Sequence, residues 1–191
     1  MTLDNILLEP TLNSVKGVMI MDNNGARILA KYYDAEMFPN TAAQKKFEKT
    51  LFTKTHKANA EIIMLDGLTC LYKSSVDLFF YVIGSGKNIS PFFSCIFHRN
   101  YLKYHLAGQE NELLLMAVLD CLFNSVSGIL RKNVDKKSLC DNMEVIMLAM
   151  DEMIDNGMIM ESDSQQIISR VALRSDDIPL GEQTVAQVKM T

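Results

Sequence analysis

The chain has no Trp, only four Pro and four Cys, and little excess of either charge: a formal net charge of −4 over 191 residues. Each shortage excludes something. Cys70, Cys95, Cys121 and Cys140 form no CxxC pair, so neither a zinc knuckle nor a dithiol redox motif is available. The longest unbroken apolar run, Leu113 to Leu119, is far shorter than the ~20 residues of a membrane span. Asp4, Glu9 and Pro10 interrupt the N-terminus, so no signal peptide is expected and the chain reads as cytosolic. The acidic balance gives no electrostatic reason to bind nucleic acid, whose affinity rests on clustered Lys and Arg. What is present is a 48% hydrophobic fraction, enough for the core of one ordinary domain.

Local patterns give an order of elements. Residues 14–21 are rich in Val, Ile and Met, Asp22 to Gly25 supply turn chemistry, and 26–33 answer as a second strand. After Pro39, Thr41 and Gln44 have capping-box spacing. Ala43, Phe47 and Leu51 then form an apolar stripe, with Lys45, Lys46, Glu48 and Lys49 around the other side, predicting a helix to about His56. Strands are expected at 61–65 and 68–73, joined by the two-residue turn Asp66-Gly67. Residues 76–83 are apolar on both faces, which suits the middle of a covered sheet. A wide apolar band over 110–134 predicts a buried helix. Ser138 is the expected cap of a further helix with the stripe Leu139, Met143, Ile146, Met150 and Met153, stopped by Asn156-Gly157. A short final helix is expected over 164–173. Hairpin-linked strands with helical cover make an α+β domain, in the order β-β-α-β-β-β-α-α plus that helix.

Nothing here assembles a reaction. Gly86-Lys87 mimics part of a phosphate loop, but Tyr81 stands where its first Gly belongs and Asn88 where the metal-binding hydroxyl belongs. His56 sits at a helix end, where its interaction with the dipole accounts for it. His98 and His105 are seven apart with no acidic companion. Met143, Met147, Met150 and Met153 suit core packing, with a partner surface as the alternative. No catalytic, cofactor or metal site is expected.

Longer strings are more specific. LEPTLNSVKGV (8–18), LAKYYD (29–34), KTHKANAEI (54–62), LDGLTCLYKSSVDLFFYVIGS (65–85), ENELLLMAVLDCLFNSVSGILRKNV (110–134) and ESDSQQIISRVALRSDDIPLGEQTVAQV (161–188) closely resemble the zeta subunits of the coatomer, the COPI vesicle coat. These belong with the small sigma chains of clathrin adaptors. The resemblance implies a longin-like fold, a five-stranded antiparallel sheet with helices on both faces. It also implies a non-catalytic coat component in the cytoplasm, peripherally associated with Golgi membrane and COPI vesicles. Its direct partner would be the gamma-coatomer subunit, within a heptamer recruited by an Arf-type GTPase, serving Golgi-to-ER retrograde and intra-Golgi transport. A clathrin-adaptor-type sigma chain and a longin-type regulatory domain for a small GTPase stand as alternatives. A permanent subunit should bury more than ~2,000 Å² through a largely apolar surface. Tyr32, Tyr33, Phe52 and Tyr72 are the candidate partner-binding residues, as large aromatics that need not all face inward; core burial competes for each.

Two stretches depart from the family pattern. Between the strand ending VIGS and the helix starting ENEL, where zeta chains have a short connection, residues 86–108 intervene. They hold no Asp or Glu, three cations, five of the fifteen aromatics and two of the three histidines. The C-terminus lacks the basic, Trp-containing continuation of the family. The expected organisation is one longin-like domain over 1–173, with 86–108 an atypical insert and disordered loop, and a truncated tail over 174–191. Codons for Gly86-Lys87 and Val188-Lys189 can each contain the GTAA that opens introns. A retained intron is therefore one origin for the insert, and a lineage-specific loop touching membrane or a partner is the rival.

Overall fold

The computed structural model describes residues 15–56, 61–85, 110–131 and 133–176. The insert at 86–108 and residues 177–191 of the tail lie outside the described residues, as do Cys95, His98 and His105. The elements are β1 (Val15–Asp22), β2 (Arg27–Tyr32), α1 (Thr41–Thr55), β3 (Ile62–Leu65), β4 (Leu68–Ser75), β5 (Leu78–Ser85), α2 (Glu110–Leu130), α3 (Lys136–Asp141), α4 (Met143–Met153), β6 (Ile154–Asp155), β7 (Met158–Ile159) and α5 (Ser164–Asp176).

The five long strands form one antiparallel sheet in the order β2-β1-β5-β4-β3. The strand that reads as apolar on both faces is the central one. Along β5, Phe80 and Val82 point to one core, while Tyr81 and Ile83 point to the other. Two layers of cover are therefore required. Helix α1 closes one face over Met19, Met21, Leu65, Leu68, Cys70, Tyr72, Tyr81 and Ile83. Helices α2 and α4, with α5 packed across them, close the other over Val18, Ile20, Leu71, Phe80 and Val82.

Helix α2 is long and apolar enough, by length and composition alone, to cross a membrane. It spends that apolarity on the sheet: Leu115, Val118, Leu119, Leu122 and Val126 are buried. Gly84 on β5 lies directly under Leu115, where a Cβ would overlap the leucine's methyl groups. Its missing side chain therefore sets how closely helix and sheet approach.

Several local expectations need correction. The cap of α1 is Asn40, one residue before the expected Thr41. Asn40 is extended (φ −154°, ψ 165°), and its side chain accepts from the Ala43 N–H at 2.8 Å. A capping residue must stand outside the helix, and Thr41 is already inside it. Asp135, not Ser138, caps α3, accepting from the Ser138 N–H at 2.8 Å. The single helix expected after it breaks at Asn142 (φ −118°, ψ 24°), so the stripe from Leu139 to Met153 runs across two helices. Asn156-Gly157 does not merely stop a helix. With φ of 47° and 83° it turns the short hairpin β6–β7, and the Gly157 carbonyl accepts from the Val15 N–H at 3.1 Å. Val76 is a turn residue rather than part of β5. It adopts φ 35° and is 92% exposed, an unusual conformation for a β-branched side chain. Helix α5 runs to Asp176, past the boundary expected at 173.

Candidate functional site

The four candidate aromatics divide between the two faces of the sheet. Tyr72 lies on the α1 side and is only 7% exposed. Its ring stacks on Tyr81 with centroids 5.7 Å apart, and its hydroxyl donates to the Thr55 carbonyl at 3.4 Å. Tyr81, fully buried, shares a 2.8 Å hydrogen bond with the Thr55 hydroxyl. Burial pushes the Tyr81 phenol up to about 12 and the Cys70 thiol beside it up to about 12, so both stay neutral. Tyr72 is therefore packed in the core on the α1 side.

Tyr32 is half-buried, ending β2 on the same face. Its hydroxyl donates to Glu48 Oε1 at 2.6 Å, and its ring lies 4.5 Å from that of Phe38. Arg27 brings Nη2 to 2.5 Å from the same Glu48 oxygen, donates from Nη1 to Gln44 Oε1 at 3.3 Å, and places its guanidinium over the Tyr32 ring. Burial and the Glu48 carboxylate together push the Tyr32 phenol far above its usual range. Glu48 was expected on the solvated side of α1 and is instead 5% exposed. It follows Phe47 on the helix and so falls at the border of the apolar stripe, where a charge can be tolerated only when paired. Its two partners sit on a strand distant in sequence, so no local signal marks it.

Phe52 is also half-buried, stacked on His56 at 4.9 Å and edge-on to Phe79 at 5.7 Å. Gly25, at φ 77°, lies against the Phe52 ring so closely that a Cβ would sit 2.6 Å from it. His56 stands at the C-cap of α1, as its sequence position suggests.

Tyr33 lies on the opposite face, packed against the α2–α4 core and beside Gly157. Its buried hydroxyl has no hydrogen-bond partner among the described residues, and burial, with Asp151 and Asp155 nearby, pushes its phenol well above the usual range. Tyr33 and Phe52 are thus separated by the sheet and form no single patch.

Exposed large apolar side chains are scattered over the described surface, Met37, Val76, Met147 and Met160 among them, and three more lie near one another. Leu113 and Leu114, in the first turns of α2, are 58% and 48% exposed, and Met64 on the edge strand β3 is 46% exposed. Strand register places Met64 opposite Thr69 and Thr69 opposite Gly84, and Leu115 covers Gly84. The three side chains therefore share one end of the sheet. Sequence periodicity marks Leu114 as part of the buried band, and only the packing reveals it as surplus to the core. No group of three or more His, Cys, Asp or Glu able to hold a metal occurs among the described residues.

Known proteins place this architecture. The family model described as "Clathrin adaptor complex small chain" matches in two stretches, residues 14–101 and 94–177, which meet inside the atypical segment. The chain is 50% identical over 186 residues to human coatomer subunit zeta-1, an alignment covering 97% of this chain and 92% of that one. It is 48% identical over 180 residues to mouse coatomer subunit zeta-2, covering 94% and 77%. It is 37% identical over 183 residues to coatomer subunit zeta-1 of Arabidopsis thaliana, covering 93% and 90%. Among solved structures, a chain of a homology model of the full-length AP-3 complex superposes with a TM-score of 0.58 at 15% identity, covering 85% of this chain and 94% of that one. It shares the adaptor small-subunit, longin-like fold. By sequence over nearly its whole length and by fold, the chain belongs to the adaptor small-chain family and, within it, to the coatomer zeta subunits.

Proposed function

We propose that the chain is the small, non-catalytic subunit of a COPI coat and is held by the gamma-coatomer subunit, in a coat that an Arf-type GTPase recruits to Golgi membranes for retrograde and intra-Golgi transport. The observation that carries this reading is the 50% identity to human coatomer subunit zeta-1 across 97% of the chain. The surface chemistry supports it. A permanent partner removes exposed apolar area from water, and Leu113, Leu114 and Met64 offer such area at one end of the sheet. The rims of Tyr32, Tyr33 and Phe52 contribute where their half-buried rings reach solvent. Tyr72, 7% exposed, offers little area to such a surface.

Co-expression with a tagged gamma-coatomer trunk tests the reading. Leu113→Asp with Leu114→Asp should lower captured chain at least about tenfold, since each leucine is expected to contribute roughly 1.5–3 kcal/mol when buried. Acidic residues near a helix N-terminus favour the helix dipole, so this variant keeps its fold. Removing 86–108 should leave the yield of complex unchanged. Equal capture of the double variant by gamma-coatomer removes this surface from the interface. Capture of the unaltered chain by a clathrin-adaptor large chain in place of gamma-coatomer, or guanine-nucleotide exchange activity, overturns the coat assignment.

A further inference from the structure

The outer face of α1 carries charge that the fold does not use. Lys45, Lys46, Lys49 and Lys54 are exposed, and none joins an ion pair among the described residues. The one acid of the helix, Glu48, is buried and already engaged by Arg27 and Tyr32, so it does not offset them. The first turn has no acidic residue either, leaving the positive end of the helix dipole uncompensated. Lys45 and Lys49 are one turn apart, a like-charge spacing that weakens a helix rather than supporting it. This happens in a chain whose net charge is −4.

Two of these lysines, Lys45 and Lys49, border a concavity. Between α1 and the turn joining β1 to β2 lies an open groove of about 720 Å³, lined by Gly25, Arg27, Lys45, Glu48, Lys49 and Phe52 among others. The Phe52 ring gives it an apolar wall, held in place by His56 and Phe79 and admitted by the absent side chain of Gly25. A concave site with an aromatic wall and a cationic rim suits a chain that carries carboxylates and at least one apolar side chain. It suits a membrane less well. No large apolar side chain of α1 stands exposed to enter an acyl layer, which interfacial helices require.

We propose that this groove docks an acidic peptide segment of a partner protein, with the peptide's carboxylates on Lys45 and Lys49 and an apolar side chain against Phe52. The span from Lys45 to Thr53 is about 12 Å at helical rise, room for about four extended residues in contact. The site lies across the sheet from Leu113 and Leu114, and Phe52 is the one lining residue it shares with the surface proposed for the large subunit.

The test uses the full chain and a fluorescent peptide of about eight residues, rich in Glu and Asp with one central Phe, read by anisotropy. Binding should weaken about tenfold or more in Lys45→Glu with Lys49→Glu, and should fall several-fold between about 0.05 and 0.2 M salt. Arg131→Glu with Lys137→Glu, the same change in net charge on exposed residues elsewhere, should leave it unaltered. No binding of the peptide, or an equal loss in both double variants, overturns the proposal. Flotation with phosphatidylserine–phosphatidylcholine vesicles that depends on Lys45 and Lys49 at least as strongly as peptide binding does overturns it in favour of a membrane face. Because the readout is peptide binding, a negative result leaves the coat assignment standing, and loss of gamma-coatomer capture leaves this one standing.

Discussion

The two faces of the sheet are built on different chemistry. Under α1 the core is aromatic and hydrogen-bonded: Tyr72 and Tyr81 stack and meet at Thr55, and Tyr32 and Arg27 converge on Glu48. Under α2 and α4 it is largely aliphatic, with close approach set by small residues, Leu115 on Gly84 and, in the outer layer, Ile168 on Gly128. A face held by specific polar partners is vulnerable to loss of a partner, because the group left behind stays desolvated. A face held by shape is vulnerable to a change of volume. The difference extends to the surfaces, since α1 presents uncompensated lysines and α2 presents uncovered leucines.

Volume on the α2 face should give the largest effect. Gly84→Val places methyl groups where Leu115 sits and is expected to cost about 3 kcal/mol, measured by urea denaturation. Adding Leu115→Ala should recover part of that loss, although the single change alone is destabilising. Additive losses in the double variant would show that the two residues do not share the space.

Partner loss on the α1 face comes next. Glu48→Ala removes the acceptor for both Tyr32 and Arg27 and is expected to cost about 2 kcal/mol, discounted because Arg27 retains some solvent. Tyr32→Phe, losing one hydrogen bond, should cost about half as much. If Gly84→Val proves milder than Glu48→Ala, the contrast between the faces fails.

A smaller effect belongs to the rim joining the β1–β2 turn to α3. Burial of Asp22 raises its pKa. The Lys136 ammonium at 2.8 Å and the N–H groups of Ala26 and Asn24 outweigh that and hold it below the usual carboxylate range. A depressed pKa means that this stabilisation is present above about pH 4, where the unfolded carboxyl ionises, and is lost as pH falls through the folded value. Asp22→Asn should therefore flatten the acid side of the stability profile below about pH 4. An unchanged acid limb would show that Asp22 contributes nothing to it.

The smallest expected effect is a gain. Val76 holds φ 35° at an exposed turn tip, and Val76→Asn, which tolerates that conformation, should stabilise by about 1 kcal/mol. A loss instead would mean that the valine makes contacts that outweigh its backbone strain.

Where local chemistry governs, the sequence was legible. Asp66-Gly67 turns β3 into β4 with φ of 52° and 77°, as its residue types require. The doubly apolar β5 lies in the centre, and the order of the five long strands with α1, α2 and α5 follows from periodicity, whereas the split into α3 and α4 and the hairpin β6–β7 do not. Some errors are local, such as the caps at Asn40 and Asp135 and the break at Asn142, and the others lie where two segments distant in the chain compete for the same group. Glu48 reads as solvated until Arg27 arrives beside it, and Tyr72, open to either reading in the sequence, packs in the core under α1. Leu114 reads as core until α2 settles with Leu115 on Gly84.

The sequence by itself determined the five long strands and most of the helices, the antiparallel sheet and the family, because turn residues, hydrophobic period and long shared strings act locally or are read directly. Only the tertiary structure decided which apolar and charged side chains the core leaves over. Exposure depends on how closely layers approach, and that distance is set by pairs such as Gly84 with Leu115 and Gly25 with Phe52, whose members meet only in the folded chain.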